Sequence, residues 1–167
     1  MPMIEQRDVI KVGIAELKAV KAPKCIRTSG LGSCVGLIIF DKYSEVAGLA
    51  HIMLPDSTIV KGGDINRSKY ADTAVSDLVK SIITIGGKQR SLRAKMAGGA
   101  QMFHFHSQNE MMRIGPRNVD AIKKQLKVLS IPLISEDVGG NNGRTIEFDP
   151  VTCDLVIRTV NEGVRKI

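Results

Sequence analysis

Cys34 and His51 are the two side chains in this sequence best suited to attack a carbonyl together, one as nucleophile and the other as proton acceptor. They flank a hairpin. Val35 to Phe40 is a continuous apolar run rich in β formers, Asp41-Lys42-Tyr43-Ser44 reads as a turn, and Val46 to Leu54 returns as the next strand. A tight turn pairs Phe40 with Glu45, Ile38 with Ala47 and Cys34 with His51. Directly opposed residues of an antiparallel pair share a face, with Cβ atoms about 5 Å apart. A slip of a single residue sends one of the two to the opposite face, so the chemistry is conditional on register.

A free thiol has a pKa of about 8.5 and is only a few per cent thiolate at neutral pH. Lowering that value by about two takes roughly 2.7 kcal/mol. An imidazolium about 4 Å away, at an effective dielectric of about 20, offers about 4 kcal/mol. The contact therefore predicts an activated thiolate. The preceding segment, Thr28-Ser29-Gly30-Leu31-Gly32-Ser33, is a loop of small residues. Gly30 and Gly32 let a substrate approach the backbone closely. Amide N–H groups near Gly32, Ser33 and Cys34 are candidate oxyanion donors. The hydroxyl of Thr28, Ser29 or Ser33 can hold the imidazole in one tautomer, and spacing does not choose among the three. The competing reading is a structural cysteine buried beside a strand histidine, because free cysteine is among the most buried residue types.

Several elements must position this pair. Val9 to Ala15 alternates as a first strand, and Cys25 to Arg27 reads as a second. Ser68 can cap a helix running to about Ile85, with Ala71, Ala74, Val75, Leu78, Val79, Ile82 and Ile83 on one face and Gly86-Gly87 stopping it. Leu92 to Met96 reads as a strand. Gly115 and Pro116 open a second helix with Val119, Ile122, Leu126 and Leu129 inward, which Ser130 to Pro132 ends. Leu133 to Asp137, Thr145 to Asp149 and Asp154 to Val160 follow as strands, separated by turns at Asn141-Asn142-Gly143 and Asp149-Pro150. Two long amphipathic helices among many strands, several in hairpins, predict a layered α/β fold with mixed, largely antiparallel sheets. No linker divides the chain, so residues 1–167 are expected to form a single domain.

Composition narrows the class. A chain of 167 residues buries about two-thirds of its unfolded surface and needs no disulfide or metal to fold. The charged N-terminus is not expected to act as a secretory signal, and the longest apolar stretch is far too short to span a bilayer. Three cysteines at no metal-like spacing suggest free thiols in a reducing cytosol. The net charge of +7 favours acidic partners, although most of these charges read as an ordinary solvated surface. Nucleic acid is disfavoured, because no basic run carries interleaved stacking residues.

The run Thr28-Ser29-Gly30-Leu31-Gly32-Ser33-Cys34-Val35-Gly36-Leu37, with Gly48-Leu49-Ala50-His51-Ile52-Met53-Leu54-Pro55-Asp56-Ser57, resembles the CheD family of bacterial chemotaxis proteins. The resemblance continues through Lys69 to Ala74, Ala97-Gly98-Gly99-Ala100, Ile114-Gly115 with Arg117-Asn118, and Glu136-Asp137 with Gly139-Gly140 and Arg144. It implies a chemoreceptor glutamine deamidase built as a three-layer α/β sandwich. It also implies a catalytic Cys34, a base His51 and an orienting Thr28, with no cofactor and a cytoplasmic location. The implied partners are the chemoreceptor cytoplasmic domain and a CheC-type phosphatase. Phe103 matches an aromatic that the family uses for the phosphatase, with Met102 beside it. The bland alternative places both in the core of an alternating strand.

Other residues read more plainly. His104 and His106 could share a strand face, but no third metal ligand lies at a sensible spacing. Cys25 and Cys153 read as strand residues. Glu136 and Asp137 are expected to support the fold near Gly139 and Arg144, and Gly98-Gly99 to allow close backbone packing.

Overall fold

The computed structural model describes residues 7–101 and 113–167. Its strands in chain order are β1 (Val9–Lys11), β2 (Leu17–Lys21), β3 (Cys25–Leu31), β4 (Val35–Asp41), β5 (Val46–Ile52), β6 (Leu92–Gly98), β7 (Leu133–Val138), β8 (Arg144–Phe148), β9 (Leu155–Thr159) and β10 (Gly163–Lys166). Helix α1 spans Ala71–Thr84 and α2 spans Ile114–Val128. One sheet has the order β1-β3-β8-β9-β10 and the other β2-β5-β4-β6-β7. The β1–β3 and β6–β7 pairs are parallel and the others antiparallel.

The apolar pattern dictates the layering. Strands β4 and β5 are buried along their whole length, as a central strand covered on both faces must be. Val35, Leu37 and Ile39 of β4 pack with Ala74, Leu78 and Ile82 of α1 and Ile122 of α2. The alternate residues Ile38 and Phe40 face the other sheet and meet Ile26, Ile146 and Phe148. The result is three layers: helices, a sheet, and a second sheet. Gly36 marks how closely the sheets approach, since a Cβ there would lie 2.5 Å from Ile146 Cδ1. No helix among the described residues is long and apolar enough to cross a membrane.

Several expectations need correction. The first strand stops at Lys11, and the chain then forms β2, which the lysine-rich stretch Leu17–Lys21 did not advertise. Ser68 does not cap α1; the cap position is Tyr70, with no side-chain hydrogen bond. Ile83 faces outward, 42% exposed, because it falls just beyond the buried stripe that ends at Ile82. The central hairpin also closes differently. Asp41 pairs with Val46 across a four-residue turn in which Glu45 adopts a positive φ of 53°. The Asp41 carboxylate holds that turn by accepting from the Tyr43 and Ser44 amides and the Ser44 hydroxyl, and it also accepts from the Lys88 amide. Burial alone would raise its pKa; these hydrogen bonds outweigh burial and hold it below the ordinary carboxylate value.

Candidate active site

The wider turn moves the hairpin register by two residues: His51 faces Gly36, not Cys34. A two-residue shift preserves the face. Cys34 packs against the layer between the sheets, the same layer that Ile38, Phe40, Ala47 and Leu49 enter from β4 and β5. His51 alternates with Ala47 and Leu49 and is fully buried on that side. The thiol and the imidazole are thus diagonal rather than direct neighbours, a separation of about 7–8 Å between backbones that is shorter between side chains.

The imidazole is held from the opposite sheet. Thr28 Oγ1, on β3, lies 2.7 Å from His51 Nδ1 and 2.8 Å from the Val12 carbonyl oxygen. A hydroxyl has one proton, and the carbonyl can only accept. The hydroxyl therefore donates to Val12, and Nδ1 must donate to the hydroxyl oxygen. That fixes the neutral tautomer and leaves the lone pair on Nε2. Nε2 is buried and has no hydrogen-bond partner among the described residues. Beyond Thr28 the β3–β8 register slips before Leu31, and Gly30 has a φ of 73°. Pairing resumes at Leu31 with Arg144, and the irregularity lets the chain turn into the nucleophile loop.

The polarity of that loop is one-sided. The Gly32 carbonyl accepts from the Ala100 amide at 2.8 Å, the Ser33 carbonyl from Asn118 Nδ2 at 3.0 Å, and the Cys34 carbonyl from the Gly99 amide at 2.8 Å. Apart from the Cys34 amide's local contact with its own sulfur, the amides of Ser33 and Cys34 donate to no partner among the described residues. Three consecutive carbonyls are thus turned into the frame, and the donors that an oxyanion requires are left over. Gly98 is essential to this packing. It has a φ of 117°, and a side chain there would run into the Cys34 carbonyl oxygen.

Asn118 enters the sequence reading only within the family resemblance and is given no role there. It is fully buried on α2 and gives its second amide proton to the Met53 carbonyl at 2.9 Å. One side chain thus ties the residue before Cys34 to the segment just past His51. The available signal was a polar side chain at position 118 beside Val119, on the helix face that also buries Ile122 and Leu126. Arg144 does similar work below the loop, donating to the carbonyls of Gly98 and Gly139 and to Asp137 Oδ1. Glu136 instead accepts from Lys123 at 3.0 Å.

Burial pushes the Cys34 thiol above its ordinary pKa, only partly offset by its own backbone amide, and burial pulls His51 below its ordinary value. Both shifts favour the neutral pair. The imidazolium contact expected to activate the thiol is not there to offset them, because the hydrogen bond between thiol and Nε2 is not made.

Over residues 53–159 the sequence matches the family model described as CheD chemotactic sensory transduction. The chain belongs to the CheD family. It is 60% identical over 160 residues to the chemoreceptor glutamine deamidase CheD of Halalkalibacterium halodurans, covering 96% of this chain and 99% of the relative. It is 57% identical to the protein of the same name from Bacillus licheniformis, covering 98% of this chain and 97% of the relative. The Bacillus subtilis protein of that name is also 57% identical, with 95% and 96% covered. The family-model match begins two residues past His51, but an alignment of 160 residues out of 167 necessarily takes in Thr28, Cys34 and His51.

Among the positions expected to matter in a CheD-family protein, Thr28 bonds His51, Cys34 packs against the inter-sheet core, and Gly32 and Ser33 lie in the loop held by Ala100 and Asn118. Met102, Phe103, His104 and His106 lie outside the described residues. Among the described residues, no three His, Cys, Asp or Glu side chains gather as a metal site.

Proposed function

We propose that this chain is a chemoreceptor glutamine deamidase in which Cys34 is the nucleophile, His51 the proton carrier and Thr28 the residue that orients His51. The observation that carries the reading is the Nε2 lone pair, presented by the Thr28 hydrogen bond to the interior face that Cys34 enters. The names of the relatives supply the substrate class.

The chemistry follows from a neutral pair at rest. A receptor glutamine side chain enters against the loop, and its carbonyl oxygen takes the free amides of Ser33 and Cys34. Sγ attacks the carboxamide carbon while Nε2 accepts the thiol proton, so the buried charges appear only as the oxyanion does. The imidazolium passes that proton to the departing nitrogen, ammonia leaves, and a thioester remains. Water then attacks, giving a proton to Nε2, and the thiol is restored as glutamate is released. Each turnover adds one negative charge to the receptor. The net charge of +7 suits docking on an acidic helical surface in the cytoplasm.

The resemblance to the family also supports a second role as partner of a CheC-type phosphatase, through Met102 and Phe103. A mainly regulatory protein of that kind would bind the phosphatase without turnover. Incubation with a chemoreceptor cytoplasmic domain, followed by peptide mapping, separates the readings. The deamidase produces glutamate at specific receptor glutamines and releases ammonia. Unmodified glutamines after prolonged incubation would defeat the proposal, and peptide cleavage or amine incorporation would reassign the thiol to another specificity.

A further inference from the structure

We propose that the open edge of β2 docks an extended acidic peptide segment of a protein partner as an added strand. Among the described strands β2 lies at the end of its sheet and pairs with β5 alone. The hydrogen bonds at either end of that pairing fix which way each residue points. His51 N donates to the Glu16 carbonyl and Ala22 N to the Glu45 carbonyl, both in the same register as Lys18–Leu49 and Val20–Ala47. Even-numbered residues therefore bond to β5, and Leu17, Ala19 and Lys21 turn their backbone groups outward. The Lys21 carbonyl is taken by the Lys24 amide. Ala19 keeps both its N–H and its carbonyl unpaired among the described residues, the pair of groups that an incoming strand uses.

This edge is recessed. It forms the floor of a cleft of about 550 Å³, with Ile10 of β1 on one side and Ile85, just past α1, on the other. A strand laid there would continue the middle layer of the fold between the two outer ones. The charge around it selects the occupant. Lys18, Lys21 and Lys24 line the cleft, and among the described residues no carboxylate does. Lys18 is partly engaged, donating to the Lys11 carbonyl at 2.9 Å and lying 3.9 Å from Glu16. The ammonium groups of Lys21 and Lys24 have no partner among the described residues. Lysines on an edge strand deter pairing with uncharged or basic edges, and the same charges favour an acidic one.

The test is a titration of the full chain at low ionic strength with a fluorescent heptapeptide alternating glutamate and valine, with amide exchange followed in parallel. Saturable binding is expected, with exchange at Ala19 and Lys21 slowed about tenfold or more. The double variant Lys21→Glu/Lys24→Glu should weaken binding about tenfold or more while keeping its unfolding transition, because both side chains are exposed. A lysine–valine peptide should not bind. Absence of saturation up to about 1 mM peptide overturns the proposal. So does unchanged exchange at Ala19 and Lys21 in the wild-type complex, a readout that needs no variant to fold. A thymidine oligonucleotide that displaces the peptide at equal concentration would reduce the edge to a general anion patch and would equally overturn it.

Discussion

Thr28 Oγ1 and His51 Nδ1 are 2.7 Å apart although their strands belong to different sheets. The bond fixes the tautomer of the imidazole, and it depends on the two sheets being docked. Thr28→Val keeps the side-chain shape and removes the hydroxyl, leaving the Val12 carbonyl and Nδ1 unsatisfied. The expected cost is about 1–3 kcal/mol of stability and a fall of about 10–100-fold in kcat for deamidation. Thr28→Ser should recover most of both. Steady-state kinetics alongside urea unfolding checks the pair of effects.

Stability should also carry the signature of a buried neutral histidine. In the folded protein burial depresses the His51 pKa below 6.5, while the unfolded chain titrates near that value. Between the two values the unfolded state binds more protons, so stability rises with pH there. The contribution is complete above about 6.5 and is lost as pH falls toward the folded-state value. Urea midpoints measured from about pH 5 to 8 should fall on the acid side, and His51→Gln should flatten that part of the curve.

The resting thiol should be unremarkable. Burial raises the Cys34 pKa, so at neutral pH its alkylation by iodoacetamide should be no faster than that of a cysteine in an unstructured peptide. The rate should climb with a midpoint above the ordinary thiol range. A rate plateau reached well below pH 7 would mean that a thiolate–imidazolium pair exists before substrate arrives.

Asn118 joins the Ser33 and Met53 carbonyls, so Asn118→Leu should strip a donor from each at similar side-chain volume. We expect a loss of about 2–4 kcal/mol and a larger proportional change in kcat than in KM, since the substrate surface is untouched while the nucleophile loop is released. Chemical denaturation and a kcat–KM comparison at a temperature where the variant is folded would measure both.

Much of this site could be read from residue types alone. The Val35–Phe40 run and its return strand announced a buried hairpin, and the side-chain alternation put Cys34 and His51 on a common face. The register could not be read, because it depends on Glu45 adopting a positive φ in a four-residue turn, and glutamate gives no sign of that. The error was harmless only because it was even-numbered. β2 escaped notice because three of its five residues are Lys18, Ala19 and Lys21, and an edge strand has no need of a continuous apolar run. The role of Thr28 was legible only through the family resemblance. Its hydroxyl meets the ring across a sheet-to-sheet contact that no local pattern encodes.

The proposed mechanism needs one sulfur, that of Cys34, to perform the attack. Deamidation of a receptor cytoplasmic domain should be followed by mass spectrometry with wild-type protein, Cys34→Ala, Cys25→Ala and Cys153→Ala, each shown to be folded. Cys34→Ala alone should lose activity, by about a thousandfold or more. Conversion by folded Cys34→Ala at a rate near that of the wild type would contradict that mechanism.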